Sequence, residues 1–340
     1  MLMQSSWYSR LALLTTLLAL CVIILGAYTR IKDAGLGCPD WPGCYGQLTV
    51  PETSHALAKA KQAFPGHTVE AHKAWPEMIH RYFAGSLATL VFLLTLLGFW
   101  QKRKLRLAWS LLLTLTLLII FQAMLGMWTV TLKLLPVVVM GHLLGGLTLV
   151  ALLWWLTLQT SGWLRQKEFM QTHALRPWVL LGLVILAVQI FLGGWTSANY
   201  AGIACPDFPF CYGNLWPAMD FKQALQFWMP IGIDYQGGSL TEEAKITIQM
   251  LHRLGALITT LYLGWLGLRL ILDNYTPALR NLGGLLLVLL LVQISLGILN
   301  VLLKLPLHVA VSHNAVAVLL LLSLVTITFH LYAKKMDELP

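Results

Sequence analysis

Apolar residues run almost unbroken through eight stretches of the chain, at residues 11 to 29, 79 to 100, 107 to 130, 136 to 158, 177 to 195, 247 to 271, 281 to 302 and 307 to 332. A helix rises about 1.5 Å per residue, so about 20 residues cross a hydrocarbon core about 30 Å thick. The stretches are too long and too rich in Leu for barrel strands, which would alternate in segments of about ten residues. The pattern predicts an all-α integral membrane protein of eight transmembrane helices, each closing its own backbone hydrogen bonds. Composition agrees, since 58% hydrophobic and 11% charged residues exclude a water-soluble globule.

The polar positions between the stretches set an orientation, because Lys and Arg of short loops stay in the cytoplasm. "QKRKLR" at 101 to 106 is the clearest marker. Arg165, Lys167, Arg176, Arg269, Arg280, Lys334 and Lys335 fall on the same side, whereas the loop after the third stretch offers only Lys133. Both termini are therefore expected in the cytoplasm. The formal net charge of +9 is then mostly a topology signal and not a nucleic-acid footprint. Arg10 precedes an apolar run as in a secretory signal, but no A-x-A-like cleavage site follows.

The chain also repeats itself. "LGAYTRIKDAGLGCPDWPGCYG" ends the first stretch and "LGGWTSANYAGIACPDFPFCYG" ends the fifth. "EMIHRYFAGSLATL" from Glu77 matches "QMLHRLGALITTL" from Gln249, and "FQAMLGMWTVTLKLLP" from Phe121 matches "VQISLGILNVLLKLP" from Val292. A repeat of this period changes the expected architecture. It predicts two tandem four-helix bundles, residues 1–160 and 177–340, joined by a cytoplasmic linker at 161–176. Because four spans are an even number, both halves run the same way, related by an axis along the membrane normal.

The repeat preserves four histidines, His80 with His252 and His142 with His313, each about one to two turns inside the outer end of its span. An ionisable residue inside a span is costly and marks a functional site unless something satisfies it. Two per bundle, on alternate helices facing each other, is the arrangement of a bis-imidazole haem site. Interhelical hydrogen bonding is the competing reading, and zinc or copper a weaker one, because no Cys or carboxylate shares these helices at suitable spacing. His55, His67, His72, His173, His308 and His330 read as loop or helix-end residues, His308 near enough to His313 to border its pocket. Arg81 and Arg253 follow the first histidine of each pair and are candidates to meet haem propionates, or interfacial arginines that snorkel.

The halves differ at one informative position. Glu77 stands three residues before His80, where Gln249 stands before His252, and residues so spaced share a helical face. A carboxylate there can stabilise developing positive charge or move protons. The bland alternative is an acidic residue in the first helical turn after Pro76. The asymmetry places chemistry in the first bundle and electron transfer in the second.

Cysteines occur as C-x5-C pairs, Cys38 with Cys44 and Cys205 with Cys211, in loops expected outside. Prolines at 39, 42, 206 and 209 favour turns that bring the sulfurs together. Structural disulfides Cys38–Cys44 and Cys205–Cys211 are the favoured reading, redox-active thiols the other. Cys21 sits mid-span and reads as a small apolar core residue. No C-x-x-C-H occurs, which argues against covalent haem c.

Taken together, "GLGCPDWPGCYG", "EMIHR", "GHLLGG", "QMLHR" and "SHNAVA" resemble the haem A synthase family of cytochrome oxidase assembly factors along nearly the whole chain. The resemblance implies an oxidoreductase of eight spans that converts a methyl group of haem O to the formyl group of haem A by successive hydroxylations. It implies that His80 and His142 receive the substrate haem, that His252 and His313 hold a haem B cofactor, and that Glu77 is catalytic. It also implies a bacterial inner-membrane location with the cysteine loops periplasmic, an electron acceptor, and haem O synthase or terminal oxidase assembly factors as candidate partners. Family members differ in their loop cysteines, so the pairs are not needed for the chemistry in general. The residues alone leave open a di-haem electron carrier that exchanges electrons with quinone and a membrane thiol oxidoreductase. The asymmetry at Glu77 speaks against the first, the four histidines against the second.

Overall fold

The computed structural model describes residues 6–105, 107–161, 173–273 and 275–332. Among these the chain forms helices α1 (Ser6–Ile31), α2 (Ser54–Ala63), α3 (Ala71–Leu105), α4 (Trp109–Thr131), α5 (Pro136–Ser161), α6 (Arg176–Ala198), α7 (Phe221–Ala224), α8 (Glu242–Leu272), α9 (Pro277–Leu302) and α10 (Leu307–Tyr332). All but the short α2 and α7 are long and apolar enough to cross a membrane, eight in all among the described residues. The described residues contain no strand beyond two isolated bridges, Cys44 with Gln47 and Cys211 with Asn214. The all-helical, multi-pass expectation holds. Arg106, Arg165, Lys167, Lys334, Lys335 and linker positions 162–172 lie outside the described residues.

Two spans begin further out than their apolar runs. α3 starts at Ala71 and α8 at Glu242, because the added turns pack against loops and not lipid. Ala74 and Met78 are buried with Cys38, Cys44, Tyr45 and Val50, while Ala244 and Ile248 are buried with Trp195, Ala201 and Ala224. Pro76 therefore lies inside α3, and Glu77 is not in a first turn, which removes the bland reading of its position. α8 opens on the cap Thr241, with Glu242 and Glu243 in its first turn, a placement the positive helix end favours.

The long helices pack in two rings. α1 contacts α3 and α5, and α4 contacts α3 and α5; α8 contacts α6 and α9, and α10 contacts α6 and α9. The rings meet where α5 touches α6 and α10, and where α1 touches α10. Tyr8, Leu94, Leu112 and Leu153 fill the first interior, and Leu263, Leu286 and Leu324 the second. Since lipid is as apolar as Leu, these contacts stabilise by close packing, helped by interhelical hydrogen bonds. Thr16 and Thr157 Oγ1 atoms lie 3.1 Å apart, and Trp154 Nε1 donates to Thr326 Oγ1 at 2.8 Å across the rings. Cys21 is exposed on the outer face of α1, so the expectation of a core cysteine is corrected.

Short turns keep paired helices in register. After α4, Lys133 and Leu134 adopt φ of 49° and 60°, and after α9, Lys304 and Leu305 adopt 57° and 58°. The Leu134 N–H reaches the Thr129 carbonyl and the Leu305 N–H the Asn300 carbonyl, each at 2.8 Å, closing the helix ends before α5 starts at Pro136 and α10 at Leu307, directly after Pro306. Beyond α1 and α6 a polar cluster joins the halves. The Arg30 guanidinium lies 3.9 Å over the Tyr200 ring and donates to the Ser197 carbonyl, while Asp33 accepts from Tyr200 and Gln236, both at 2.8 Å.

Candidate functional site

Each of the four histidines stands on its own long helix and packs on a glycine of the long helix before it. A Cβ added at Gly26 would meet His80 Cε1 at 3.0 Å, at Gly126 His142 Cε1 at 3.4 Å, at Gly193 His252 Cε1 at 2.9 Å and at Gly297 His313 Cε1 at 3.1 Å. The contact is closest at Gly193, where a Cβ would force a shift, tight at Gly26 and Gly297, and ordinary at Gly126. Sequence reasoning missed the glycines, although they sit in the repeated "LGAYT"/"LGGWT" and "MLG"/"SLG" phrases.

His80 on α3 and His142 on α5 face each other, their ring centroids 6.4 Å apart and their planes at 90°. Two metal–nitrogen bonds of about 2 Å each, plus the radii of two imidazoles, span that distance. The Nδ1 atoms of His80, His142 and His313 are buried without a hydrogen-bond partner. An orphaned buried polar atom costs about 1–3 kcal/mol, a cost the first pair carries at both Nδ1 atoms. The two imidazoles fit a site that would hold a haem iron between them. In the other pair, Gln189 Nε2 lies 3.0 Å from His252 Nδ1, and Gln293 Nε2 lies 3.3 Å from His313 Nε2.

Glu77 is buried, 4% exposed. Its Oε2 accepts the Cys38 N–H at 2.9 Å, and its Oε1 pairs with Arg81 Nη2. Gln249 reproduces half of this arrangement: its Oε1 accepts the Cys205 N–H, and its Nε2 donates to the Gly202 carbonyl at 3.0 Å. Both residues therefore pin a cysteine loop to its helix, one with a charge and one without.

The two arginines are fastened to the same loops. Arg81 donates to the carbonyls of Asp40, Pro42 and Gly43. Arg253 donates to those of Cys205, Asp207, Pro209 and Phe210. The loop carbonyls, which sequence cannot place, take up their Nη donors, though Arg253 Nε is buried without a partner.

Each loop is closed by its own cysteines. The Cys38 and Cys44 sulfurs are 2.02 Å apart and those of Cys205 and Cys211 2.04 Å, so both expected pairs are at disulfide-bond distance. Asp40 accepts the amides of Tyr45 and Gly46 at 2.6 and 2.8 Å, and Asp207 those of Tyr212 and Gly213 at 2.7 and 2.8 Å. The Gly213 amide, with that of Tyr212, holds the Asp207 carboxyl below its ordinary range. His55, His67, His72 and His308 are exposed, apart from the paired rings.

Residues 9–325 match the family described as Cytochrome oxidase assembly protein. The chain is 46% identical over 332 residues to the heme A synthase of Shewanella oneidensis, covering 98% of each. It is 30% identical over 327 residues to the heme A synthase of Mesorhizobium japonicum, covering 90% of this chain and 85% of that one. Against the heme A synthase of a Chelativorans strain the identity is 28% over 323 residues, with 88% and 84% covered.

Proposed function

Since the chain belongs to the Cytochrome oxidase assembly protein family, we propose that it makes haem A from haem O by oxidising a ring methyl group to a formyl group through successive hydroxylations. The observation that carries this is 46% identity across 98% of the chain to a protein named heme A synthase, and the facing rings of His80 and His142 support a substrate site between them. On this reading His80 and His142 bind haem O, and His252 and His313 bind a resident haem B, which supplies one-electron transfer. The electrons leave to an acceptor outside the chain.

The architecture behind this reading is two tandem four-helix bundles, 1–160 and 177–340, with both termini cytoplasmic in a bacterial inner membrane and the cysteine loops periplasmic. Equivalent residues of the two halves touch each other, Arg30 with Ser197 and Asp33 with Tyr200, as expected across a two-fold axis. The closing turns, loop pins and histidine–glycine contacts recur in both halves.

Glu77 is the group we assign to the chemistry. Its equivalent Gln249 pins the second loop without a charge, so the pin does not require a carboxylate. The charge is available for the reaction, its Oε atoms holding or passing a proton within one helical turn of His80. Arg81 and the Cys38 amide fix the carboxylate, and the disulfide-closed loop covers it from water.

Purification in detergent, an optical spectrum and chromatography of the extracted haems test the proposal. Haem B accompanied by haem O or haem A is expected; haem B alone would overturn the reading in favour of an electron carrier. Gly193→Val drives a side chain into His252, whose Cε1 already stands 2.9 Å from a Cβ at that position. It is expected to lower haem B per protein about tenfold, and full occupancy would show that the contact does not position the ring.

A further inference from the structure

We infer that the second cysteine loop is seated in the membrane surface, with Phe208, Phe210, Trp216 and Phe221 inserted at the boundary between lipid headgroups and acyl chains. Its depth follows from the contacts that hold it. Arg253 binds the carbonyls of Cys205, Asp207, Pro209 and Phe210, so the loop lies level with that residue of α8. The stretch from Arg253 to Leu272, where α8 ends, rises about 30 Å, the thickness of a hydrocarbon core. Arg253 and the loop it holds therefore stand at the outer edge of the apolar layer. Further along the chain, the Asp220 N–H donates to Thr247 Oγ1 at 2.8 Å. The segment that carries Trp216 thus starts at the level of Arg253 and ends at that of Thr247, less than about two helical turns away.

The side chains at this level suit lipid. Phe208, Phe210, Trp216 and Phe221 are all exposed, Trp216 by 84%. Within residues 201–219 the one charged side chain is Asp207, and the Tyr212 and Gly213 amides take up its carboxylate. The fold of the loop does not require Phe210 or Trp216. The first loop closes with an equivalent disulfide, aspartate turn and arginine, yet has Gly43 in the place of Phe210 and Thr49 in that of Trp216. Aromatic rings favour the membrane boundary, where an apolar face meets acyl chains and a polar edge meets water. The occupant of this face is the lipid leaflet and not a soluble protein, because the loop is pinned to a span at the height where that leaflet begins.

Spin labelling of the full-length protein in vesicles of phosphatidylethanolamine and phosphatidylglycerol tests this. With Cys21→Ala in place and the loop cysteines bonded in pairs, Trp216→Cys offers a single thiol for a nitroxide. Oxygen concentrates among acyl chains, whereas a charged or hydrated nickel chelate stays in water. The ratio of oxygen to chelate collisions is expected to be several-fold higher at position 216 than for Lys61→Cys, an exposed position of the polar helix α2. Equal ratios at the two positions overturn the inference, whether water or a partner protein meets the loop. If Trp216→Cys does not fold, Phe221→Cys decides by the same comparison: a higher ratio than at position 61 supports insertion, and an equal one overturns it.

Discussion

His252→Ala and His313→Ala are each expected to yield protein that has lost the low-spin b-type haem spectrum, with haem B per polypeptide below about a tenth of wild type. Even partners that merely orient a metal-bound histidine are worth about 10–100-fold in affinity, and removing the ligand itself takes away a whole metal–nitrogen bond. The surrounding packing offers no replacement. Each ring lies against a glycine, so truncation opens space beside bare backbone, and among the described residues no group of three or more His, Cys, Asp or Glu side chains converges that could substitute. His308→Ala serves as control, because His308 is exposed and its loss should leave the spectrum unchanged. Absorption spectra and haem-to-protein ratios decide the matter: an intact low-spin signal in either ligand variant would remove that histidine from the site.

The eight spans were legible because lipid leaves a chain no alternative. Every backbone polar group must be satisfied within the helix, so the apolar runs and the helices coincide over most of their length. The outward turns of α3 and α8 were not legible, because residues such as Ala74 and Ala244 are buried by loops that only the fold brings to them. For the same reason α2 and α7 carry no apolar signature. The four histidines and the Glu77/Gln249 difference could be read from the repeat. The partners of Arg81 and Arg253 could not, since backbone carbonyls carry no residue identity. The orientation of Cys21 also depended on packing, because a span apolar all round does not announce which face meets its neighbours. The glycines under the rings lay in plain view, yet only a distance reveals what a missing Cβ permits.

Glu77→Gln is expected to retain both haems and the closed loop while haem A formation falls by about 100-fold or more, the lower end of what a positioned acid or base contributes. The chain itself contains the precedent for such a variant. Gln249 holds its loop with Oε1 on the Cys205 amide and Nε2 on the Gly202 carbonyl, so a glutamine at position 77 can accept the Cys38 amide in the same way. Arg81 would lose its carboxylate but keep the loop carbonyls, as Arg253 is held by four carbonyls and no carboxylate. The substitution therefore removes a charge and a proton-transfer group with little change of shape, which larger replacements would not do. Haem content by spectrum and haem A by chromatography, measured on the same preparation, separate the two effects. Loss of haem together with haem A would mean that Glu77 acts only through the loop it pins. Undiminished haem A formation in a fully haem-loaded variant would refute its place in the reaction and return the carboxylate to the role its counterpart already fills without charge.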